Sequence, residues 1–211
     1  MSEARRAAEE RRTVPPTVES LDETQRQRRA RIVEAAIELM LATDYERIQM
    51  KDVSAIAGVA LGTTYRYFAS KEQLLAEALV AWSDRFPAFE GTVQPGRSVD
   101  QLKKAFRRAA RAFEPHPTVY GTILVLQATT DPLVVPLYDR FAVSRQQAFA
   151  RYLPDIPSPR RERIVDVMAA VLDVNLRAWA LGRRPMQSVY NALDSAAELL
   201  LGGEAGEPGA V

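Results

Sequence analysis

The chain has 211 residues, enough for one large helical domain or for a small domain joined to a larger one. Its 47% hydrophobic and 26% charged residues mark a globular protein, and no apolar run reaches the ~18–20 residues that span a bilayer. Zero cysteines exclude a disulfide framework and a thiolate metal site, and with a net charge of +1 a nucleic-acid partner has to be argued from where the basic residues sit.

Met1 to Arg12 is charged throughout with no apolar segment behind it, so no secretory leader is expected and a cytoplasmic location fits. Residues 1–20, with Pro15-Pro16 and few large apolar side chains, are predicted to form a flexible arm. Ile32, Ala35, Ala36, Leu39 and Met40 then recur at spacings of three and four, which predicts a helix from about Asp22 to Thr43. Arg26, Arg28, Arg29 and Arg31 cluster on it with no acid between Thr24 and Val33, a pattern that reads either as a solvated face or as a DNA contact. Val53, Ile56 and Ala57 define a short second helix stopped by Gly58, and a third runs from about Gly62 to Phe68. Ser70 can cap a fourth, with Gln73 in the reciprocal capping-box position and Leu74, Leu75, Ala78, Leu79 and Trp82 as its buried stripe. These segments divide into a helix-turn-helix domain at 21–70 and a connecting helix at 71–86.

Pro87 to Arg97 interrupts the pattern and predicts a boundary. Helices are expected beyond it at about 98–114, 117–130, 132–153, 158–182 and 185–201, with Pro117, Pro132, Pro159 and Pro185 near their starts. Pro136 either kinks or delays its helix. Residues 98–201 form the expected second domain, and 202–211 a flexible tail. Strand alternation is absent, so the expected fold is all-α.

The segment that carries the chemistry is 48–75, IQMKDVSAIAGVALGTTYRYFASKEQLL. A short helix, a glycine turn and a second short helix are the parts of a helix-turn-helix, and equally of a plain three-helix packing unit. Gly58 can end the second helix in the left-handed conformation, and Gly62 lets backbone approach DNA closely. Thr63, Thr64, Tyr65, Arg66 and Tyr67 fill the helix that would enter the major groove. Their hydroxyls suit phosphate oxygens, their methyls and rings suit thymine methyls, and Arg66 suits guanine or a phosphate. Lys71 behind the helix suits a phosphate, and Lys51 heads the second helix.

The run from Gly58 to Leu75, of the pattern G-x-x-x-G-T-x-Y-x-Y-F-x-x-K-x-x-L-L, closely resembles the recognition segment of the tetracycline-repressor (TetR) family. The resemblance covers about residues 25–82. It implies that Thr63, Tyr65, Tyr67 and Lys71 anchor phosphates, that Lys51, Leu61, Gly62 and Arg66 face bases, and that Phe68 is buried between the first and fourth helices. Glu72 complements the dipole of the fourth helix. It further implies a dimer reading near-palindromic double-stranded operator DNA, and a small hydrophobic effector bound by the second domain. Gln49-Met-Lys-Asp-Val, Tyr65 to Lys71 and Leu172-Asp-Val-Asn-Leu-Arg-Ala-Trp179 are similar to actinobacterial repressors of cholesterol and steroid catabolism, which implies a steroid-derived coenzyme A thioester as effector, with Arg107, Arg108, Arg111, Arg183 and Arg184 available to its phosphates.

In the second domain Phe106, Phe113, Tyr120, Leu124, Tyr138, Phe141, Phe149 and Trp179 are large residues on several helices; most are expected in the core and a minority around a cavity. Gln127, Asn175 and Arg177 are polar residues on otherwise apolar helices, and burying them requires partners such as a ligand. Ile164, Val167, Met168, Val171, Leu172, Val189, Leu193, Ala196 and Leu200 on the last two helices are expected to form a two-fold bundle with a second copy. Catalysis finds little support: the single histidine, His116, sits between two prolines, and Gly58-x-x-x-Gly62 lacks the Gly-Lys-Ser/Thr ending of a phosphate loop. No cofactor or metal is expected. The alternative reading is a helical small-molecule sensor that acts on a protein partner with its helix-turn-helix silent.

Overall fold

The structure, a computed structural model, describes residues 15–85 and 96–202. Most of the expected arm, most of the expected boundary at Pro87–Arg97 and the tail from 203 onward lie outside the described residues. Among the described residues the fold is all-α, with nine helices: α1 (Glu23–Ala42), α2 (Met50–Ala57), α3 (Leu61–Tyr67), α4 (Lys71–Asp84), α5 (Ser98–Arg111), α6 (Thr118–Ala128), α7 (Val135–Ala150), α8 (Arg160–Ala180) and α9 (Met186–Leu201). Short 3-10 turns occupy Val18–Ser20 and Tyr45–Arg47. None of these helices is long and apolar enough to cross a membrane.

The helix ends follow local chemistry. Asp22 caps α1 by accepting from the Gln25 N–H at 2.8 Å, while Gln25 Oε1 accepts from the Asp22 N–H at 3.2 Å, a complete capping box. Gly58 ends α2 at φ +65°, where a Cβ would be strained. Ser70 Oγ accepts from the Gln73 N–H at 3.1 Å, but Gln73 Oε1 returns to the Ala69 N–H, one residue earlier than the expected reciprocal partner. The helix that holds Pro136 begins at Val135, so the proline falls in its first turn, where the missing N–H costs little.

The chain groups into two compact units, Met1–Trp82 with Thr122–Tyr138, and Ser83–Gly121 with Asp139–Val211. In the first, Ile32, Ala35, Ala36 and Met40 of α1, Val53 and Ala57 of α2 and Leu74, Leu75, Ala78 and Leu79 of α4 are buried, and α1 packs on α2. Arg29 of α1 lies over the fully buried Phe68 ring, 4.8 Å from its centroid, and pairs with Glu77 of α4. Phe68 is thereby held between α1 and α4, as the family pattern implied.

In the second unit α9 packs on both α5 and α8. Lys103 and Arg107 of α5 pair with Glu198 and Asp194 of α9, so Arg107 already has an acidic partner within the chain. The same packing corrects the expected two-fold face. Ile164, Met168, Val189 and Leu193 are buried within the chain, between 0 and 4% exposed, so their apolar surface is already spent and a second copy would not reach it. The large apolar residues left outward here are Val167 and Val174 on α8, Leu181 just past its end and Leu199 on α9.

Candidate nucleic-acid interface

The three residues between α2 and α3 are enough for a sharp turn because Gly58 takes the left-handed conformation and Val59 N–H bonds back to the Ser54 carbonyl at 3.0 Å. The two helices are then joined by a buried polar contact. Ser54 Oγ donates to the Met50 carbonyl at 2.7 Å and lies 2.8 Å from Thr64 Oγ1. A hydroxyl has one proton, and that of Ser54 is already given, so Thr64 is the donor to Ser54.

This contact corrects the expected role of Thr64, whose side chain is fully buried and unavailable to DNA. Tyr67 is also interior at 1% exposure, so its ring packs α3 onto its neighbours instead of presenting an open phosphate anchor. Positions 64, 67 and 68 therefore form the inward side of a helix with 3.6 residues per turn. Leu61, Gly62, Tyr65 and Arg66 form the outward side: all four are exposed, Leu61 by 42% and Tyr65 by 50%. Thr63 is half-buried beside them. The Arg66 guanidinium lies 5.3 Å from the Tyr67 ring centroid, which directs the longest side chain of the helix along its surface. Lys51 is exposed on α2, as is Ile56, which the apolar spacing had placed inward. One short helix thus offers an aliphatic, a glycine, a phenol and a guanidinium on one face, a set able to touch thymine methyls, guanine and phosphate oxygens.

Lys71, at the start of α4, donates to the Tyr45 carbonyl at 2.9 Å, and its ammonium lies 3.7 Å from the Tyr45 ring centroid. Glu72, expected to complement the helix dipole, also accepts the Tyr45 hydroxyl proton. Burial, and then the bond to Glu72, push the Tyr45 hydroxyl well above the usual phenol range, so it remains a donor. Tyr45 was invisible to sequence reading: a single aromatic in a polar turn, whose partners lie 26 and 27 residues ahead. The basic cluster of α1 is only partly outward. Arg26 bonds Glu23 and the Leu21 carbonyl, Arg29 is committed to Glu77, Arg28 is half-buried and Arg31 is exposed.

The expected effector residues fall in both units. Leu124, Gln127 and Tyr138 belong to the first, with Gln127 exposed and the other two half-buried. In the second, Phe106 is fully buried and stacked on Phe149 at 3.8 Å, which makes it plain core. Phe113 meets Tyr120 edge-on at 6.0 Å, and the Tyr120 hydroxyl donates to the Asp173 side chain of α8, so both rings are held within the second unit. Asn175 is buried, but its amide donates to the Val171 carbonyl one turn back, so the helix itself satisfies that donor. Arg177 is exposed and pairs with Asp173 at 2.9 Å. Phe141, with the Arg145 guanidinium 5.9 Å from its ring centroid, and Trp179 are half-buried.

Residues 32–78 match the family described as bacterial regulatory proteins, tetR family. The chain is 32% identical over 180 residues to the HTH-type transcriptional repressor KstR of Rhodococcus jostii, covering 84% of each chain. It is 31% identical over 183 residues to the repressor of the same name from Mycobacterium tuberculosis, covering 85% of this chain and 83% of that one. A crystal structure of a TetR transcriptional regulator from Rhodococcus sp. RHA1 superposes with a TM-score of 0.73 at 26% identity, over 88% of this chain and all of that one. Identity at that level over 84–85% of the chain settles the assignment: the protein belongs to the tetR family of bacterial regulatory proteins.

Proposed function

We propose that the protein is a transcriptional repressor that binds a near-palindromic operator as a homodimer and is released from it by a hydrophobic effector. The observation that carries this reading is the outward face of α3: Leu61, Gly62, Tyr65 and Arg66 stand exposed on a helix that packs on α1 and α2. In the reading, Leu61, Gly62 and Arg66, with Lys51 of α2, face bases in the major groove, while Thr63, Tyr65 and Lys71 contact phosphates. Its relatives carry the name of transcriptional repressor, which favours repression over activation.

DNA reading by one short helix requires a second copy, whose helix meets the other half-site ~34–36 Å away, about one helical turn along the duplex. The outward apolar residues Val167 and Val174 of α8, Leu181 at its C-cap and Leu199 of α9 supply the face for it, since burying each recovers surface that would otherwise stay wet. Residues 21–70 serve as the DNA-binding domain, 71–86 as the connecting helix and 98–201 as the effector and dimerisation domain, working in the cytoplasm where the operator is.

The effector belongs to the steroid coenzyme A thioesters, a class supported by the likeness of residues 49–71 and 172–179 to repressors of steroid catabolism. A ligand that prefers a conformation with the wrong spacing of recognition helices releases DNA by as much as its differential affinity allows. A gel-shift titration against the DNA upstream of the protein's own gene, with and without a steroid coenzyme A thioester, tests both halves. Binding that the thioester leaves untouched discards the effector class; no specific binding at any salt concentration discards the operator reading at that site.

A further inference from the structure

Tyr45, in the turn between α1 and α2, is engaged in three ways by the first two residues of α4. The Lys71 ammonium sits over its ring at 3.7 Å from the centroid, Lys71 Nζ donates to its carbonyl at 2.9 Å, and its hydroxyl donates to Glu72. Lys71 and Glu72 are consecutive residues and leave a helix about 100° apart, so their side chains would normally diverge. Here both turn back onto the same aromatic residue.

A lysine head group on a surface is a point charge on a flexible stem, and the rotamer freedom of that stem is lost when it binds a phosphate. Tyr45 removes part of that freedom before DNA arrives. The ring face attracts the ammonium, the carbonyl takes one of its three protons, and two remain to be donated elsewhere. The bond from the hydroxyl to Glu72 holds the ring itself in register with the start of α4.

We propose that Tyr45 is a positioning residue for DNA binding, which preorders the Lys71 ammonium for a backbone phosphate. The inference rests on the phosphate role given to Lys71 above. A tyrosine that merely braced the fold would change stability and leave the number of neutralised phosphates alone, and that number is measurable. The dependence of log affinity on log salt falls by about 0.9 for each phosphate that is no longer neutralised, or about 1.8 for a dimer in which each subunit releases one.

The test is a series of DNA titrations at several salt concentrations with the intact chain, using a duplex of the DNA upstream of its own gene. Phosphate neutralisation carries binding at low salt whatever the sequence, so the slope does not depend on that duplex holding the operator. The proteins are wild type, Lys71→Met, Tyr45→Met, Tyr45→Phe and Tyr45→Met with Lys71→Met, with thermal unfolding followed in parallel. Tyr45→Leu replaces Tyr45→Met if the latter does not fold. Expected are a drop of about 1.8 in slope for Lys71→Met, at least half of that for Tyr45→Met, and most of the slope retained in Tyr45→Phe, which keeps the ring. The double variant should match Lys71→Met alone, because the two act through one ammonium. A wild-type slope in Tyr45→Met, or drops that add in the double variant, overturns the proposal. A wild-type slope in Lys71→Met overturns it by removing its premise, and an absence of salt-dependent binding in wild type removes the DNA reading itself.

Discussion

Replacing Ser54 with alanine and Thr64 with valine, singly and together, examines the joint that fixes α3 against α2. Both residues are buried, at 3% and 0% exposure, and their oxygens are 2.8 Å apart. Because the Ser54 proton goes to the Met50 carbonyl, Thr64 depends on Ser54 as its acceptor. Ser54→Ala strands the Thr64 hydroxyl in the interior, which costs about 1–3 kcal/mol. Thr64→Val leaves the bond from Ser54 to Met50 intact and removes only one acceptor's partner, at about 0.5–1.5 kcal/mol. The double variant has no stranded donor, so it should be less destabilised than the sum of the singles by about 1 kcal/mol or more. Urea unfolding of the four proteins measures this cycle. Destabilisations that add to within about 0.5 kcal/mol would refute the donor assignment. Thr64→Val should also keep DNA affinity within a few-fold of wild type at temperatures where it is folded. A folded Thr64→Val protein with tenfold weaker binding would show that Thr64 touches DNA after all.

Tyr65→Ala combined with Lys71→Ala should abolish DNA binding while sedimentation still shows the dimer; a double variant that still shifts DNA would overturn the assignment of the interface. Phe106→Ala should cost about 3–5 kcal/mol of stability, because it opens a hole beside Phe149 in a closed core, and thermal unfolding would read this as a large fall in midpoint. Val174→Glu, at a side chain 62% exposed within the chain, should fold normally yet sediment as a monomer and lose tight operator binding. An unchanged dimer would move the subunit interface elsewhere.

The elements were legible where one signal dominated. The α1 stripe of Ile32, Ala35, Ala36 and Met40 has a single apolar side, and the Asp22 cap and the Gly58 stop mark helix ends by chemistry that needs no distant partner. The inward side of α3 was harder to see because it is built from a threonine and a tyrosine, types that also suit a DNA-facing surface. Only the ten-residue reach from Thr64 to Ser54 shows that its hydroxyl is spent inside. On α8 the helix is apolar on two sides: Ile164, Val165 and Met168 turn inward, and Val167 and Val174 turn outward. Periodicity alone cannot tell such sides apart, and the expected two-fold face therefore mixed core with surface. Arg29 and Arg26 looked like members of one basic patch, since their acids, Glu77 and Glu23, lie outside the basic run itself. Tyr45 had no local signature at all; its role comes from partners that only the folded turn brings to it.

The most direct test of the account is a gel-shift titration of the purified protein against the DNA upstream of its own gene, repeated with a steroid coenzyme A thioester. The expected result is a specific complex that weakens steeply with salt and dissociates when the thioester is added. A specific complex that persists at saturating thioester would contradict the effector class, and a complex unaffected by Tyr65→Ala with Lys71→Ala would contradict the reading surface on α3.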